Sequence, residues 1–452
     1  MQFEYLYNTQ RRTQFFFISS QKGVDMRRRD FLSLPAAFGA VRLLGGDAFQ
    51  RSVVNCAYAE EPSKTQFPPC RRLTNGPLFH WGAYYDQIHF DPTNRYVIGN
   101  EVNFEGRSPT PDDSINVGFI DTEDGDRWTQ IGSTKAWNWQ QGCMLQFIPG
   151  DSSEVVWNNR GEKDFYATVF DVKTGRSRTL PKPVYALAPN GEFTVFPDFR
   201  RLNDTRPGYG YCGIPDPNAD VCIPDNAGIG KMNLETGQYE QLFSFADVAS
   251  IPRKTGEPFP EGVKHWFNHL IVSPDSQRFL FLHRWKREPG ASAWYTRLCT
   301  AKNDGSDIRI ISDNLMVSHL VWRDPTHIIA FARNELAGDR FYLFDTESDK
   351  VEVYGKDVMT VDGHVSYLPN TNFEWLLNDT YPNKERLQTP FLFELKTERK
   401  ILLGAFYSDK KYAGEWRCDL HPRASRDGRK ILIDSVHEDG RQIYMIERPE
   451  LS

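Results

Sequence analysis

Four of the ten histidines in this sequence occupy one position of a repeated phrase. Each lies five or six residues before a turn, and the four are His269, His319, His364 and His421. Neighbouring imidazoles cannot all be cationic, so a converging set has to share protons or bind a metal. Beside His421, Cys418 and Asp419 add thiolate and carboxylate ligand types.

We therefore predict a site for a divalent metal ion, zinc or manganese, near one mouth of a central channel. Its predicted ligands are His319, His364, Cys418, Asp419 and His421. The alternative is a neutral, hydrogen-bonded polar plug that holds the last repeats together. The histidines outside this register, at positions 89, 283, 327 and 437, are interpreted as structural.

Arginine and aromatic residues near the same register suit an acidic carbohydrate. A guanidinium can grip a carboxylate through two parallel hydrogen bonds, and aromatic rings can stack on sugars. Packing within the fold remains the alternative for each aromatic residue. The predicted substrate-binding residues are Arg200, Arg206, Tyr209, Tyr211, Trp139, Gln141 and His265. We also expect His80, which precedes the first repeat, to reach this face and act in catalysis.

The repeat itself predicts the fold. An apolar strand, a Pro/Asp/Gly-type turn and a second apolar strand occur seven times, each followed by a companion strand. The turn residues are Pro92, Pro149, Pro189, Pro274, Pro325, Pro369 and Arg426. A blade of four short strands takes about 40 to 50 residues, so each interval holds one blade. We predict an all-β, seven-bladed β-propeller with a long loop insertion between blades three and four, from Arg200 to His265; two stacked β-sandwiches are the alternative.

The composition of the chain excludes some classes of binding partner. The net charge of -6 provides no basic field, which argues against nucleic acid and anionic membranes as partners. The 33 glycines and 28 prolines supply the turns that many short strands require. No segment after the N-terminal region is apolar enough to span a bilayer.

The first 59 residues have the pattern of a targeting segment. Arg27, Arg28 and Arg29 precede a modestly apolar stretch, and Ala57-Tyr58-Ala59 resembles a cleavage site. This is a twin-arginine pattern, which predicts export to the periplasm or the medium, with the propeller at 60–452. A disordered arm that stays on the protein is the alternative. In an oxidising compartment Cys212 and Cys222 could form a disulfide or remain free.

The motifs HWFNHLIVSPD, MVSHLVW and DLHPRASRDGRKILIDS resemble the oligogalacturonate lyase type of seven-bladed propeller and the related ulvan lyases. The resemblance covers most of residues 76–450. It implies that His421 and His319 are metal ligands, that Asp419 replaces a family histidine, and that His269 lies near the reacting sugar. The ulvan lyases further imply that Tyr185 transfers a proton, with Arg201 sixteen residues downstream as its partner.

Both families imply cleavage of a uronic-acid-containing polysaccharide or oligosaccharide by β-elimination. On this hypothesis Tyr185, Arg201, His269 and His80 are the catalytic residues. Two alternatives stay open, because a fold does not determine a reaction. One is a non-catalytic propeller that binds glycans or proteins around a structural metal, and the other is a hydrolase or epimerase that uses the same channel.

Overall fold

The computed structural model describes residues 67–150 and 153–451, and these belong to one compact unit that spans Thr65–Ser452. Strands dominate it, and two short α-helices and one 3-10 helix interrupt them. The predicted signal segment and its boundary at residue 59 lie outside the described residues. No helix within the described ranges is long and apolar enough to cross a bilayer.

The strands of the first half are short, and their bounds follow in chain order. They are β1 (Cys70–Arg72), β2 (Phe79–Trp81), β3 (Tyr96–Val102), β4 (Ile115–Asp121), β5 (Arg127–Thr134), β6 (Gln146–Phe147), β7 (Glu154–Arg160), β8 (Phe165–Asp171), β9 (Ser177–Leu180), β10 (Ala186–Leu187), β11 (Phe193–Pro197), β12 (Gly228–Asn233) and β13 (Tyr239–Ser244). The helices α1 (Phe199–Thr205) and α2 (Phe245–Ser250) flank β12 and β13.

The second half continues the pattern with longer strands at first. They are β14 (His265–Val272), β15 (Arg278–Lys286), β16 (Trp294–Lys302), β17 (Arg309–Ser312), β18 (Val317–Asp324), β19 (His327–Asn334), β20 (Gly338–Asp345), β21 (Val351–Tyr354), β22 (Ser366–Tyr367), β23 (Trp375–Asn378), β24 (Leu387–Gln388), β25 (Phe391–Glu394), β26 (Lys400–Leu402), β27 (Phe406–Tyr407), β28 (Arg423–Ala424), β29 (Lys430–Ser435) and β30 (Gln442–Glu447). The 3-10 helix lies at Gly414–Trp416.

These strands form seven four-stranded antiparallel sheets within the described residues, together with a two-stranded ribbon of β24 and β27. Blades one to five are β2–β5, β6–β9, β10–β13, β14–β17 and β18–β21, and blade six is β22, β23, β25 and β26. Blade seven takes β28, β29 and β30 from the last repeat and β1 from the other end of the propeller. The predicted seven-bladed β-propeller is confirmed.

Apolar side chains fill the spaces between neighbouring blades. Leu282 and Leu298 of blade four pack with Val317 and Leu320 of blade five, and similar layers separate the other blades. The alternation of buried and exposed residues along each strand supplies both faces. Each blade therefore depends on its neighbours, and the inner strands are held around a common axis.

The predicted insertion is divided in two. The hairpin of β12 and β13 completes blade three, and it lies inside the segment that the sequence assigned to a single loop. One excursion, at 198–227, therefore lies within blade three and contains α1. The other, at 245–264, contains α2 and leads into blade four. Cys212 and Cys222, on the first excursion, are both free thiols.

Candidate functional site

Two β-bulges direct histidine side chains out of their strands. The pairing of β14 with β15 is interrupted between residues 268 and 271, where His269 lies. The pairing of β18 with β19 is interrupted between residues 317 and 320, at His319. A bulge inserts an extra residue into one strand and re-aims its side chain. His269 and His319 therefore lie outside the regular strand pairing, and their imidazoles point toward the central channel of the propeller.

The backbone at two of the histidines is left-handed. His269 has a φ of 51° and His421 has a φ of 44°. This conformation is unfavourable for a residue with a Cβ atom and persists where the surroundings impose it. At His421 the carbonyl accepts a 2.7 Å hydrogen bond from Arg423 Nη1, and Arg423 is itself paired with the buried Asp434.

The four histidine rings meet. Ring centroids are 4.1 Å apart for His319 and His364, 4.2 Å for His364 and His421, and 6.2 Å for His269 and His319. All four side chains are buried. Blades four to seven thus deliver one imidazole each to the same region of the channel, as the spacing of the repeats predicts.

Carboxylates stand behind two of these imidazoles. Nδ1 of His364 lies 2.9 Å from Asp379 Oδ1, and Nδ1 of His319 lies 3.0 Å from Asp362 Oδ1. A hydrogen bond from Nδ1–H to a carboxylate orients the ring and leaves the lone pair on Nε2. Both rings therefore turn a metal-binding nitrogen toward the centre.

Three residues form a candidate metal centre. One ligand atom from each of His364, Asp419 and His421 lies within 4.8 Å of the other two. Nε2 of His364 and Nε2 of His421 are buried without a hydrogen-bond partner in the described part of the chain. Two free imidazole nitrogens and a carboxylate at one point, with Asp379 in support, are the donor set that a transition metal prefers. The residues present fit a divalent cation.

Burial governs the protonation of the cluster. Burial, His364 and Arg423 lower the pKa of His421 well below its usual value. Burial and the nearby Arg284 have the same effect on the pKa of His269. Burial also acts to lower the pKa of His364, but the charge of Asp379, its hydrogen bond to the ring and the charges of Asp419 and Asp362 together outweigh burial, and the net shift is upward. His269 and His421 are therefore neutral imidazoles at neutral pH.

Tyr84 joins the cluster from the loop after β2. Its hydroxyl lies 3.1 Å from Nδ1 of His269, and the two rings are stacked at 15°. The edge of the same ring faces His421, with centroids 4.9 Å apart. Next to it, Tyr85 exchanges hydrogen bonds with the backbone of Leu320, which anchors this loop to blade five.

Three arginines, Arg206, Arg284 and Arg417, surround Tyr209 on the other side of His269, and we call this group the cationic rim. Tyr209 meets His269 edge to face at 5.7 Å and accepts a hydrogen bond from Arg417 Nη2 at 3.1 Å. Burial alone would raise the pKa of Tyr209, but Arg417 and Arg206 lower it to about 8. Arg206 lies over the Tyr209 ring, and Arg284 lies nearby in β15.

Several further predicted residues lie at this site. Tyr185 accepts a 2.7 Å hydrogen bond from Gln141 Nε2 and lies within electrostatic reach of Tyr209. Burial raises the pKa of Tyr185, which keeps its phenol protonated. Arg206 is at the rim, as described above. These residues join the four histidines and Asp419 in one cluster.

Arg201 lies elsewhere, in the core of the first excursion. Its side chain is 1% exposed and pairs with the equally buried Asp216. Nε donates to the carbonyl of His265, Nη1 also donates to that of Asn218, and Nη2 donates to that of Cys222. Each of its three nitrogens thus has a protein acceptor, and the side chain holds the excursion against β14.

His265 forms a separate buried chain. Its Nδ1 lies 2.9 Å from His283 Nε2, and Arg297 Nε donates to His283 Nδ1 at 3.0 Å. Because a guanidinium can only donate, Nδ1 of His283 is the acceptor and the ring proton of His283 is on Nε2. Nε2–H of His283 therefore donates a hydrogen bond to Nδ1 of His265. Burial and Arg297 lower the pKa of His265 to about 3. The residue packs against Phe259 rather than the four-histidine cluster.

His80 and Cys418 are also directed away from the cluster. His80 lies between Glu101 and Gln442, at 2.9 and 3.0 Å, where blades one and seven meet. Cys418 packs with Tyr412 and Val436, and burial raises the pKa of its thiol to about 12. Of these two neighbouring residues, only Asp419 belongs to the candidate metal centre, because the Cys418 side chain packs into a separate apolar cluster.

The remaining predicted residues make local contacts. Trp139 packs against Trp81 and donates to the carbonyl of Arg107. Tyr211 stacks on Phe199, with ring centroids 4.2 Å apart. Arg200 pairs with Asp198, the N-cap residue of α1, at the wall of a surface cavity of about 220 Å³.

Other residues of the candidate site carried little signal in the sequence. They are Tyr84, Asp362, Asp379, Arg284 and Arg417. Tyr84 belongs to the HWGAYYD motif, which adjoins the inner strand of the first repeat. That position could have indicated that Tyr84 lies near the channel. Asp379 lies fifteen residues after His364, just past the end of β23, whereas His364 lies just before β22. The two meet only because β22 and β23 are paired.

Comparisons with known proteins define the class. No family model and no curated protein matches the chain. An oligogalacturonate lyase from Vibrio parahaemolyticus has a similar structure at 16% identity, with a TM-score of 0.59 over 86% of this chain and 95% of that chain. An oligogalacturonate lyase in complex with manganese gives 14% identity and a TM-score of 0.60 over 85% and 94%.

A weaker structural match is found as well. The tricorn protease gives 11% identity and a TM-score of 0.45 over 83% of this chain and 34% of that chain. At such identities the comparisons show the fold alone. The protein is a seven-bladed β-propeller. Within that class, the solved structures similar to it include oligogalacturonate lyases.

Proposed function

We propose that this protein is a lyase that cleaves uronic-acid-containing polysaccharides or oligosaccharides by β-elimination. The observation that supports this best is the channel cluster, in which a candidate metal centre of His364, Asp419 and His421 lies beside the neutral His269. The likeness to oligogalacturonate lyases, one of them in complex with manganese, agrees with it. We further propose that the chain is exported by the twin-arginine route.

A protein that catalyses this reaction has to perform three functions. The carboxylate on C5 has to be neutralised, the C5 proton has to be accepted, and the oxygen leaving C4 has to be protonated. The C5–H bond breaks, its electron pair forms the C4=C5 double bond, and the C4–O bond breaks. No water or redox partner is consumed.

His269 accepts the C5 proton in this proposal. The Tyr84 hydroxyl lies 3.1 Å from Nδ1 and 3.4 Å from Nε2 of this ring, and when the single proton of the neutral ring is on Nδ1, Nε2 keeps the lone pair that a base needs. The stacked Tyr84 ring and the bulge in β14 hold this orientation. Tyr209, the phenol with a pKa lowered to about 8, donates the proton to the leaving oxygen.

His364, Asp419 and His421 would hold a divalent metal, manganese or zinc, with His319 adjacent. When bound, such an ion neutralises the carboxylate of the reacting sugar and so makes the C5 proton more acidic. Asp379 keeps the His364 ring oriented toward that position, and Arg417 does the same for the Asp419 carboxylate through a 2.7 Å hydrogen bond.

The test is product formation by the purified chain. It is incubated with oligogalacturonates, glucuronan and ulvan, with manganese or zinc added, and the ultraviolet absorbance of the unsaturated uronate is followed. We expect product from at least one substrate and a loss of roughly 100-fold or more in kcat for His269→Asn, whose side chain tolerates the left-handed backbone.

His437→Asn is the matched control, because His437 lies outside the channel, near Tyr444. Unimpaired turnover by His269→Asn would overturn the assigned base. Saccharide binding without product from any substrate, at any metal loading, would overturn the lyase and leave a glycan-binding propeller.

A further inference from the structure

A buried arginine beside the channel cluster has no ion pair among the described residues, and two of its side-chain nitrogens have no hydrogen-bond acceptor there. Arg284 projects from β15, is 4% exposed, and belongs to no ion pair in the described ranges. Its Nε and Nη1 are buried without a hydrogen-bond acceptor among the described residues. The charged and phenolic groups that act on it are Arg206, Tyr209, Tyr84 and Tyr185, which all belong to the rim or the cluster.

A second cation lies beside it. The guanidinium of Arg206 is 4.4 Å from the ring centre of Tyr209 and 4.2 Å from that of Trp294. Its Nε is buried and has no partner in the part of the chain that the structure describes. Arg284 lies 5.7 Å from the same Trp294 ring. Two like charges thus lie against the same aromatic ring, and neither forms an ion pair with any described residue.

Other buried arginines of this protein are treated differently. Arg201 pairs with Asp216, Arg423 with Asp434 and Arg278 with Asp307. Arg297, in the strand next to that of Arg284, donates to two carbonyls and to His283. A buried charge without a counter-charge is strongly unfavourable. A bound anion would supply Arg284 with both the missing charge and the missing hydrogen-bond acceptors.

We propose that Arg284, assisted by Arg206, binds a carboxylate of the saccharide in a subsite on the Tyr209 side of His269. This inference rests on the proposed function, since it assigns a second anionic contact to the same ligand, apart from the candidate metal centre. A guanidinium matches the planar carboxylate with two parallel hydrogen bonds. The half-buried Trp294 ring offers apolar surface on which the sugar that carries the carboxylate can stack.

The experiment compares an acid with its ester. Binding of oligogalacturonate and oligoglucuronate, each as the free acid and as the methyl ester, is measured by calorimetry on the full chain. We expect the wild-type protein to prefer the acid by roughly 10- to 100-fold, the range for hydrogen bonds to a charged group. Arg284→Met should lose that preference, with affinity for the ester unchanged, and Arg206→Gln should weaken it.

The matched control is Arg287→Gln. Arg287 is exposed and lies three residues further along the chain, so the control removes the same charge without touching the subsite. The acid-over-ester preference should survive in this variant. Arg284→Lys keeps the charge but lacks the two-pronged geometry, and it should recover only part of the preference.

Stability gives a second readout. Without a ligand, Arg284→Met should unfold at a higher temperature than the wild type, because an unpaired buried charge has been removed. A structural role would produce the opposite shift. A lower unfolding temperature, or an acid-over-ester preference retained by Arg284→Met, would overturn the inference.

The outcomes also separate this inference from the lyase proposal. Acid-selective binding that depends on Arg284 but yields no unsaturated product would sustain the subsite and overturn the lyase. Product formed equally well from acid and ester by wild type and Arg284→Met would overturn the subsite alone. Sodium sulfate that competes more strongly than free galacturonate would indicate a tetrahedral anion and overturn the carboxylate assignment.

Discussion

At the scale of single residues, the candidate metal centre depends on groups behind its ligands. Asp379 accepts from Nδ1 of His364 and from the His364 backbone N–H, at 2.9 and 2.8 Å. These two bonds fix the ring against the chain that carries it. The ligand nitrogen is therefore positioned before any ion arrives, which reduces the loss of side-chain entropy on binding.

The Asp379→Asn substitution tests this support. The amide keeps the shape of the side chain but removes the charge that orients His364 and makes it more basic. We expect affinity for manganese or zinc to fall roughly 10- to 100-fold, measured by competition with a chelator. Asp339→Asn, at a surface ion pair with Arg333, is the control and should bind metal as the wild type does.

Residue types and spacing predicted the centre better than the arginines. The four histidines could be found because each repeat places them at the same distance from its turn. Arg201 and Arg284 could not be told apart in the same way. Arg201 is paired inside the core, whereas Arg284 has no ion pair among the described residues, and this difference depends on contacts between segments far apart in sequence.

At the scale of elements, the first excursion of blade three is fastened through its centre. Arg201, on α1, connects the carbonyls of residues 218, 222 and 265 with the carboxylate of Asp216. The excursion contains little regular structure besides α1, so these bonds replace the ladder that a strand would supply. Tyr209, which the excursion carries, is thereby held against His269.

Arg201→Ala should therefore act on stability. Removal of the guanidinium leaves Asp216 buried and unpaired, so we expect the free energy of unfolding to fall by about 3–5 kcal/mol. Arg200→Ala is the adjacent control, because Arg200 is only half-buried and pairs locally with Asp198. Denaturant titrations give both values. Full stability of Arg201→Ala together with lost lyase activity would instead support its predicted catalytic role.

The repeat pattern predicted the blades but not their irregularities. Alternating apolar residues reveal strands, whereas the bulges at His269 and His319 depend on the partner strand. The β12–β13 hairpin was recognisable as a companion strand, yet the length of the surrounding Pro- and Gly-rich segment concealed that it completes blade three.

At the scale of the whole molecule, many buried histidines are held neutral. Burial and Arg297 lower the pKa of His265 to about 3, and burial and His265 lower that of His283 well below its usual value. Both would take up a proton in the unfolded chain below about pH 6.5. The folded state cannot bind these protons, so acid favours unfolding.

The free energy of unfolding should thus be insensitive to these groups above about pH 6.5 and decrease as the pH falls from there toward 3. Each such histidine contributes up to about 1.4 kcal/mol per pH unit. In His283→Gln the slope between pH 6 and 5 should be smaller by about that amount, as urea titrations at each pH would measure. A slope equal to that of the wild type would show that His283 is protonated in the folded state.

The pairing of β1 with β30 has a consequence for how the chain reaches this form. Cys70 lies opposite Ile446, so the last seam joins segments separated by almost the whole propeller. Blades one to six can assemble during synthesis, but the circle stays open until the final strand leaves the ribosome. During that interval β1 has no partner strand, and Leu73 lacks the side chains of the last repeat that cover it. Seam closure over so long a loop is slow, and it makes the newly made chain most vulnerable to aggregation just before completion.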